Sequence, residues 1–229
     1  MKNHLKKIIV PPTWNVEKKG GRYVTHPNPG GHSLEFTLPL GSIIRDELEL
    51  TTTMTETRRL LRQNKVLVDG KRRIDPAFGV GLFDVLSLPE DHHYRISLDG
   101  KGRLCLVKIT AAESKLKVCK IIGKKMLEGK KTQLNLHDGK NILSEVKAVV
   151  GEGVLVTLPE FTIKEVLPIK AGAPIFLTQG KHSGDLGNFK EIKGEEVVYA
   201  KGSEDIFTSK KYLFVVGKDK PLITLQNKE

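Results

Sequence analysis

The sequence predicts an α+β, multidomain protein. It comprises a small two-helix and hairpin module, a central β-rich barrel-like domain and a further short β unit at the C-terminal end. Helix-period apolar patterning is concentrated between residues 40 and 63. Beyond about residue 94, short β-rich runs alternate with Gly, Asp or Lys clusters, the spacing of a barrel or sandwich. At 229 residues the chain exceeds what one small core needs. The expected boundaries are a basic extension over 1–34, the αβ module over 35–93, the central β domain over 94–170, and the last β unit with its tail over 171–229.

Composition narrows the partner. Net charge is +11, from 38 Lys+Arg against 27 Asp+Glu. That excess favours an anionic partner, nucleic acid or an anionic membrane face. No apolar run approaches the ~18 residues of a membrane span. Ile8-Ile9-Val10, followed by two prolines, is too short for a signal-peptide core. No membrane partner is therefore expected. Aromatic residues are 6% of the chain, too few for base stacking to be the main mode of binding. Cys105 and Cys119 have no His or Cys companions at zinc spacing. Two buried thiols in an intracellular chain are expected in preference to a disulfide.

The extension carries Lys2, Lys6, Lys7, Lys18, Lys19 and Arg22 against one acid, Glu17, and is interrupted by Pro11, Pro12, Pro27 and Pro29. With little apolar surface to bury, it is expected to order only on a partner. Trp14, the only tryptophan, pulls the other way because it needs a surface to pack on.

The stretch from Leu40 to Arg73 organises the rest. Leu40, Ile43, Ile44 and Leu48 recur at helical spacing. Thr53 with Glu56 is a capping-box signature that opens a second helix. At roughly 100° per residue, Met54, Thr57, Leu60 and Leu61 share one side of that helix. Arg58, Arg59 and Arg62 gather on the other. Three guanidiniums pointing one way repel one another unless an anion lies against them. Val66-Leu67-Val68 then leads into Asp69-Gly70, a two-residue hairpin turn, and Lys71, Arg72 and Arg73 follow at once. Arg45 and Lys65 complete the cations of this module. Cations on helix and hairpin together match a phosphate backbone. Phe78-Gly79-Val80-Gly81 reads as a flexible bend before a closing strand, Asp84–Leu88. His92-His93 lacks further ligands and reads as a loop pair, not a metal site.

In the β-rich remainder, Thr110 with Glu113 marks a single helical turn. Lys101 and Arg103 sit in one basic glycine turn, and 137–140 form another; such turns can bring backbone N–H groups to phosphate. In the last module, strand 175–178 is followed by a loop with glycines at 180, 184 and 187, and Lys181 and His182 lie on its rim. Residues 188–192 are expected to pair back on that strand.

Several strings carry a family resemblance. Arg45-Asp46-x-Leu48, the basic second helix, Lys65-Val66-Leu67-Val68-Asp69-Gly70 and Phe83-Asp84-Val85-Leu86 resemble the small αβ RNA-binding domain of the bacterial small-subunit protein four, pseudouridine synthases and tyrosyl-tRNA synthetases. The loop at 179–187 looks like the KOW motif of small barrels, with Gln179 where a glycine is common. The order of the parts resembles the archaeal and eukaryotic small-subunit ribosomal protein four-e family. It does so most specifically in His4-Leu5-Lys6-Lys7, Pro27-Asn28-Pro29-Gly30, 134–139 and Phe214-Val215-Val216-Gly217-Lys218. The arm lacks a Gly-Arg-rich lead, which implies a reduced reach into ribosomal RNA.

An enzyme finds no support in these motifs. No strand-linked GxGxxG, P-loop, Gly-x-Ser-x-Gly or His-Glu-x-x-His occurs, so no catalytic residue, metal, cofactor or small-molecule substrate is expected. The resemblance implies a structural ribosomal protein whose partners are small-subunit ribosomal RNA and neighbouring ribosomal proteins, located on the cytoplasmic ribosome. Two alternatives stay open: a KOW-containing transcription or translation factor that binds RNA transiently, and an accessory RNA-binding part of an RNA-modifying enzyme.

Overall fold

The computed structural model describes residues 4–226 except 18, 20, 64, 128–130 and 203. Lys2 and Lys18 of the arm lie outside the described residues. The backbone forms two compact units. One is Met1–Ser97 with Arg103–Ser114, and the other is Leu98–Gly102 with Lys115–Glu229. Strands dominate both, and the helices are few and confined to short stretches.

In the first unit the arm is folded onto its own chain. β1 (Leu5–Lys6) pairs with β2 (Tyr23–Val24). Trp14 is buried, and its Nε1–H donates to the Leu34 carbonyl at 3.2 Å. The Thr13 carbonyl accepts the Leu104 N–H at 2.7 Å. Asn28 donates from its backbone to Ala77 and from its side chain to Asp75, both at 2.7 Å. The expectation that this arm orders only on a partner is therefore corrected. The single tryptophan and the Pro27–Gly30 string find their surfaces within the unit.

β3 (Thr37–Pro39) leads into α1 (Leu40–Ser42), which widens into a π turn, Ile43–Glu47. Leu40, Ile43 and Ile44 are fully buried, as their spacing requires. α2 (Met54–Gln63) opens on the capping box: Thr53 Oγ1 accepts the Glu56 N–H at 3.3 Å, and the Glu56 carboxylate accepts the Thr53 N–H at 3.2 Å. The two helical segments approach at Gly41, where a Cβ would lie 2.9 Å from Pro76 Cβ and 3.0 Å from Met54 Sδ.

β4 (Leu67–Val68) and β5 (Lys71–Arg72) flank the expected hairpin turn. Asp69 at φ 50° and Gly70 at φ 75° are both left-handed, the geometry a primed two-residue turn needs. β6 (Gly79–Gly81) replaces the expected bend: it pairs with β3, and its buried Val80 outweighs the flexibility of the flanking glycines. Asp69 anchors the hairpin on β7 (Val85–Leu88) by accepting the Val85 N–H at Oδ1, 3.0 Å, and donating its own N–H to the Val85 carbonyl, 2.8 Å. β8 (His92–Leu98) and β9 (Leu104–Ile109) extend this sheet in the order β5-β4-β7-β8-β9. The boundary expected between 93 and 94 therefore falls inside β8, and the sheet of the module continues through Ile109. His92 and His93 lie on β8, and His93 Nδ1 is 2.9 Å from Ser87 Oγ. Arg95, fully buried, is bonded to the Glu113 carboxylate, and burial lowers its pKa against that opposing charge.

In the second unit, β10 (Leu116–Met126) is shared between two pairings. Leu116–Lys120 pairs with β13 (Gly153–Thr157), and Ile121–Met126 pairs with β11 (Thr132–Leu136) across a register shift. β12 (Asn141–Ser144) and β14 (Thr162–Leu167) are the two edges of the order β12-β11-β10-β13-β14. Cys119, Ile121, Leu134, Leu136, Val154 and Val156 form its core. Neither cysteine is in a disulfide; Cys119 is buried, whereas Cys105, expected to be buried, is half-buried. A second five-stranded sheet runs β18-β17-β16-β15-β19, built from β15 (Pro174–Leu177), β16 (Leu186–Lys193), β17 (Glu196–Lys201), β18 (Glu204–Ser209) and β19 (Leu213–Val215). β16 pairs back on β15 through Leu186, Gly187 and Asn188, earlier in the chain than the expected 188–192, of which Phe189, Glu191 and Ile192 pair with β17 instead.

Candidate nucleic-acid interface

The candidate surface is built on α2 and the β4–β5 hairpin. Thr57 and Leu61 are fully buried and fix the helix's rotation. Arg58, Arg59 and Arg62 are exposed, and among the described residues none meets a carboxylate. Lys65 and Lys71 are likewise exposed with no carboxylate partner among the described residues. Arg72 is exposed too, and its Nη2–H donates to the Arg62 carbonyl at 2.8 Å. That bond satisfies a carbonyl at the C-terminal end of α2, where a cation is also favoured by the helix dipole. It ties helix and hairpin together, so their cations form one surface.

Two residues of the predicted set are engaged internally. Arg45 is forked on the adjacent Asp46, Nε–Oδ1 2.6 Å and Nη2–Oδ2 2.9 Å, and this pairing raises its pKa. Arg73 stacks over Phe78 at 4.2 Å and is half-buried. The remaining candidates are spread. Lys6 is exposed on β1, and Lys7 is half-buried beside the Lys19 carbonyl. Arg103, in the first unit, donates to Asn15 Oδ1 at 3.3 Å. Lys101 is exposed at the hairpin tip that belongs to the second unit. Lys181 is exposed, and His182 lies 3.4 Å from Asp185 Oδ2.

Sequence reading missed a buried cluster in the second unit. Lys117 Nζ meets Asp138 Oδ2 at 2.9 Å with both side chains fully out of solvent, and Lys140 Nζ reaches the same oxygen at 3.1 Å. Burial alone would raise the Asp138 pKa; Lys117, Lys140 and His137 overcome it and hold the carboxyl well below its usual range. Cys119, His137 and Asp138 bring ligand-capable atoms within 4.8 Å of one another. A metal there would face the Lys117 ammonium, and His137 Nδ1 already accepts the Lys120 N–H at 3.3 Å. These residues fit an ion pair better than a metal ion. The available signal was the run Lys117-Val118-Cys119, in which a lysine stands directly beside two apolar residues that are buried with it.

Free guanidiniums and ammoniums aligned on a rigid helix and hairpin can neutralise successive anionic groups at fixed spacing. Ribosomal family S4e matches residues 90–163, and the RS4NT (NUC023) domain matches residues 1–35. Small ribosomal subunit protein eS4 of Methanocella arvoryzae is 38% identical over 228 residues, covering 96% of this chain and 97% of that protein. This chain belongs to the ribosomal protein S4e family. The eS4 protein of Methanothermobacter thermautotrophicus is 36% identical over 232 residues. That of Nanoarchaeum equitans is 42% identical over 194 residues, 84% of this chain and 83% of that one. The crystal structure of 30S ribosomal protein S4e from Thermoplasma acidophilum superposes with a TM-score of 0.69 at 30% identity, over 80% of this chain and 95% of that one.

Proposed function

We infer that this chain is a structural protein of the small subunit of the cytoplasmic ribosome, where it binds ribosomal RNA and lies among other ribosomal proteins. The observation that carries this reading is the near full-length likeness to eS4 proteins. The carboxylate-free cations of α2 and the hairpin supply the chemistry. A-form RNA hides its base edges in a deep groove, so backbone and shape dominate recognition. Each phosphate met by Arg or Lys releases counterions. Arg58, Arg59, Arg62, Lys65, Lys71 and Arg72 take the phosphates. Arg45 and Arg73 chiefly position the surface. Lys6, Lys7, Lys101, Arg103, Lys181 and His182 add peripheral contacts.

The four segments divide the work. The arm over 1–34 and the αβ module, which starts at 35 and whose sheet runs on through Ile109, bind RNA, the strands between Leu116 and Leu167 form a separate β domain, and 171–229 is a KOW-type SH3-like barrel. Close packing of its glycine loop supports the last assignment. Gly184 has φ 87°, and a Cβ there would fall 1.9 Å from the Asp99 carbonyl oxygen. Sedimentation distinguishes a resident protein from a transient factor. The chain should remain with small subunits through a high-salt wash, and quantitative release into the wash would favour the factor.

A further inference from the structure

The pairing of β1 with β2 sorts the arm's side chains onto two faces. Leu5 lies opposite Val24, and Lys6 lies opposite Tyr23. Leu5 is buried and Val24 half-buried, so that face is turned inward. Alternation puts Lys6 and Tyr23 on the outer face, and His4, two residues before Lys6, joins them. The Lys7 N–H donates to the Arg22 carbonyl at 3.1 Å, which holds the two strands together past their last pair. The His4 ring lies 5.3 Å from the Tyr23 ring, tilted by 41°, and the Arg22 guanidinium is 5.6 Å from the same ring centroid. At those distances neither group lies flat against the ring, and 49% of Tyr23 stays exposed.

The stretch of chain that carries this ring is cationic. Lys6, Lys19 and Arg22 are exposed, Lys7 is half-buried, and none of the four meets a carboxylate among the described residues. Glu17 is the single acid among residues 1–34. A partly open aromatic ring with cations beside it suits a nucleotide, whose base stacks on the ring while its phosphates meet the cations. Ile8 and Ile9 on the following turn are exposed as well. A protein segment seated on Tyr23 would nevertheless need acids placed against both Lys6 and Arg22, whereas RNA carries a phosphate at every nucleotide. We propose that Tyr23 is a stacking platform for one unpaired base of small-subunit ribosomal RNA, with Lys6 and Arg22 meeting the phosphates that flank it. With aromatic residues at 6% of the chain, this is a single stack added to a binding mode dominated by phosphate contacts. This inference rests on the ribosomal reading above.

The test compares the full native chain with Tyr23→Phe and Tyr23→Leu for affinity to small-subunit ribosomal RNA across a salt series. Tyr23→Phe keeps the ring and should bind as the native chain does. Tyr23→Leu keeps apolar bulk without the ring, and its affinity should fall about 5- to 150-fold, the range for one lost base stack. No charge is removed, so the slope of log affinity against log salt should not change. Trp14 emission reports that the arm stays docked in both variants. A second measurement needs no substitution: ultraviolet irradiation of small subunits that carry the native chain should join a nucleotide to Tyr23. Equal binding by Tyr23→Leu and Tyr23→Phe, a loss shared by both, or irradiated subunits in which Tyr23 joins a protein or nothing would overturn the stacking platform while leaving the ribosomal reading standing. A native chain that neither binds this RNA nor enters small subunits would overturn both.

Discussion

At the scale of single residues, Lys117 and Asp138 show how charge is tolerated inside a β unit with a lean core. Both side chains are fully buried, and the opposite charge of each offsets the cost of burying the other. Asp138→Asn should therefore cost about 3–5 kcal/mol in urea unfolding at neutral pH, because it removes the carboxylate charge that faces a buried ammonium. Replacing both, Lys117→Met with Asp138→Leu, should return most of that loss. The pH dependence follows from the depressed carboxyl. The native state keeps Asp138 ionised where the unfolded chain, near its ordinary 3.8, takes up a proton. Its contribution is complete above that value and is lost as pH falls below it. Lys120 titrates at higher pH, where it lowers stability while protonated, and its slope has the same sign. Its Nζ donates to the Lys211 and Leu213 carbonyls at 2.8 and 2.7 Å, and burial, with Lys210 nearby, lowers its pKa from 10.5 to about 8. Between those values the unfolded chain binds the extra proton, so stability should rise with pH from about 8 to 10.5. The rise should be on the order of 1 kcal/mol, given partial exposure to solvent. Lys120→Gln should remove it, read by urea titration at a series of pH values.

Among the elements, α2 was legible from sequence because two independent signals agreed. The Thr53–Glu56 cap fixed its start, and the burial of Thr57 and Leu61 fixed its rotation. Thr52 and Thr53 donate to the Glu56 carboxylate and lower its pKa. Thr53→Ala should cost about 1 kcal/mol in unfolding followed by circular dichroism. Other elements were illegible for physical reasons. β6 read as a bend because glycine signals flexibility, whereas burial of Val80 and pairing with β3 are non-local. β18 begins with Glu204 and Asp205 and lies at a sheet edge, where polar residues are favoured and strand periodicity is weak. Arg45 looked like a free cation, yet the neighbouring Asp46 closes a fork on it. The arm was misjudged because its anchors, Leu34, Ala77 and Leu104, are distant in sequence. Trp14, as the sole tryptophan, reports on this directly. Its fluorescence in the free chain should be blue-shifted and resistant to iodide. Emission typical of water would show an arm that is not docked.

For the whole molecule, net charge was the property most plainly legible in the sequence: +11 called for an anionic partner before any fold was known. What composition could not say is which cations are available. Side-chain pairing decides that, and it leaves Arg58, Arg59 and Arg62 on one face of α2 without carboxylates among the described residues. The central claim is that this face rests on RNA phosphates. Its most direct measurement is the affinity of the full chain for small-subunit ribosomal RNA across a salt series, for the native sequence and for Arg58→Glu with Arg62→Glu. Both positions are exposed, so the variant should keep its circular dichroism spectrum. Its affinity should fall, and the slope of log affinity against log salt should become shallower by roughly two. A folded variant with an unchanged slope would contradict the account.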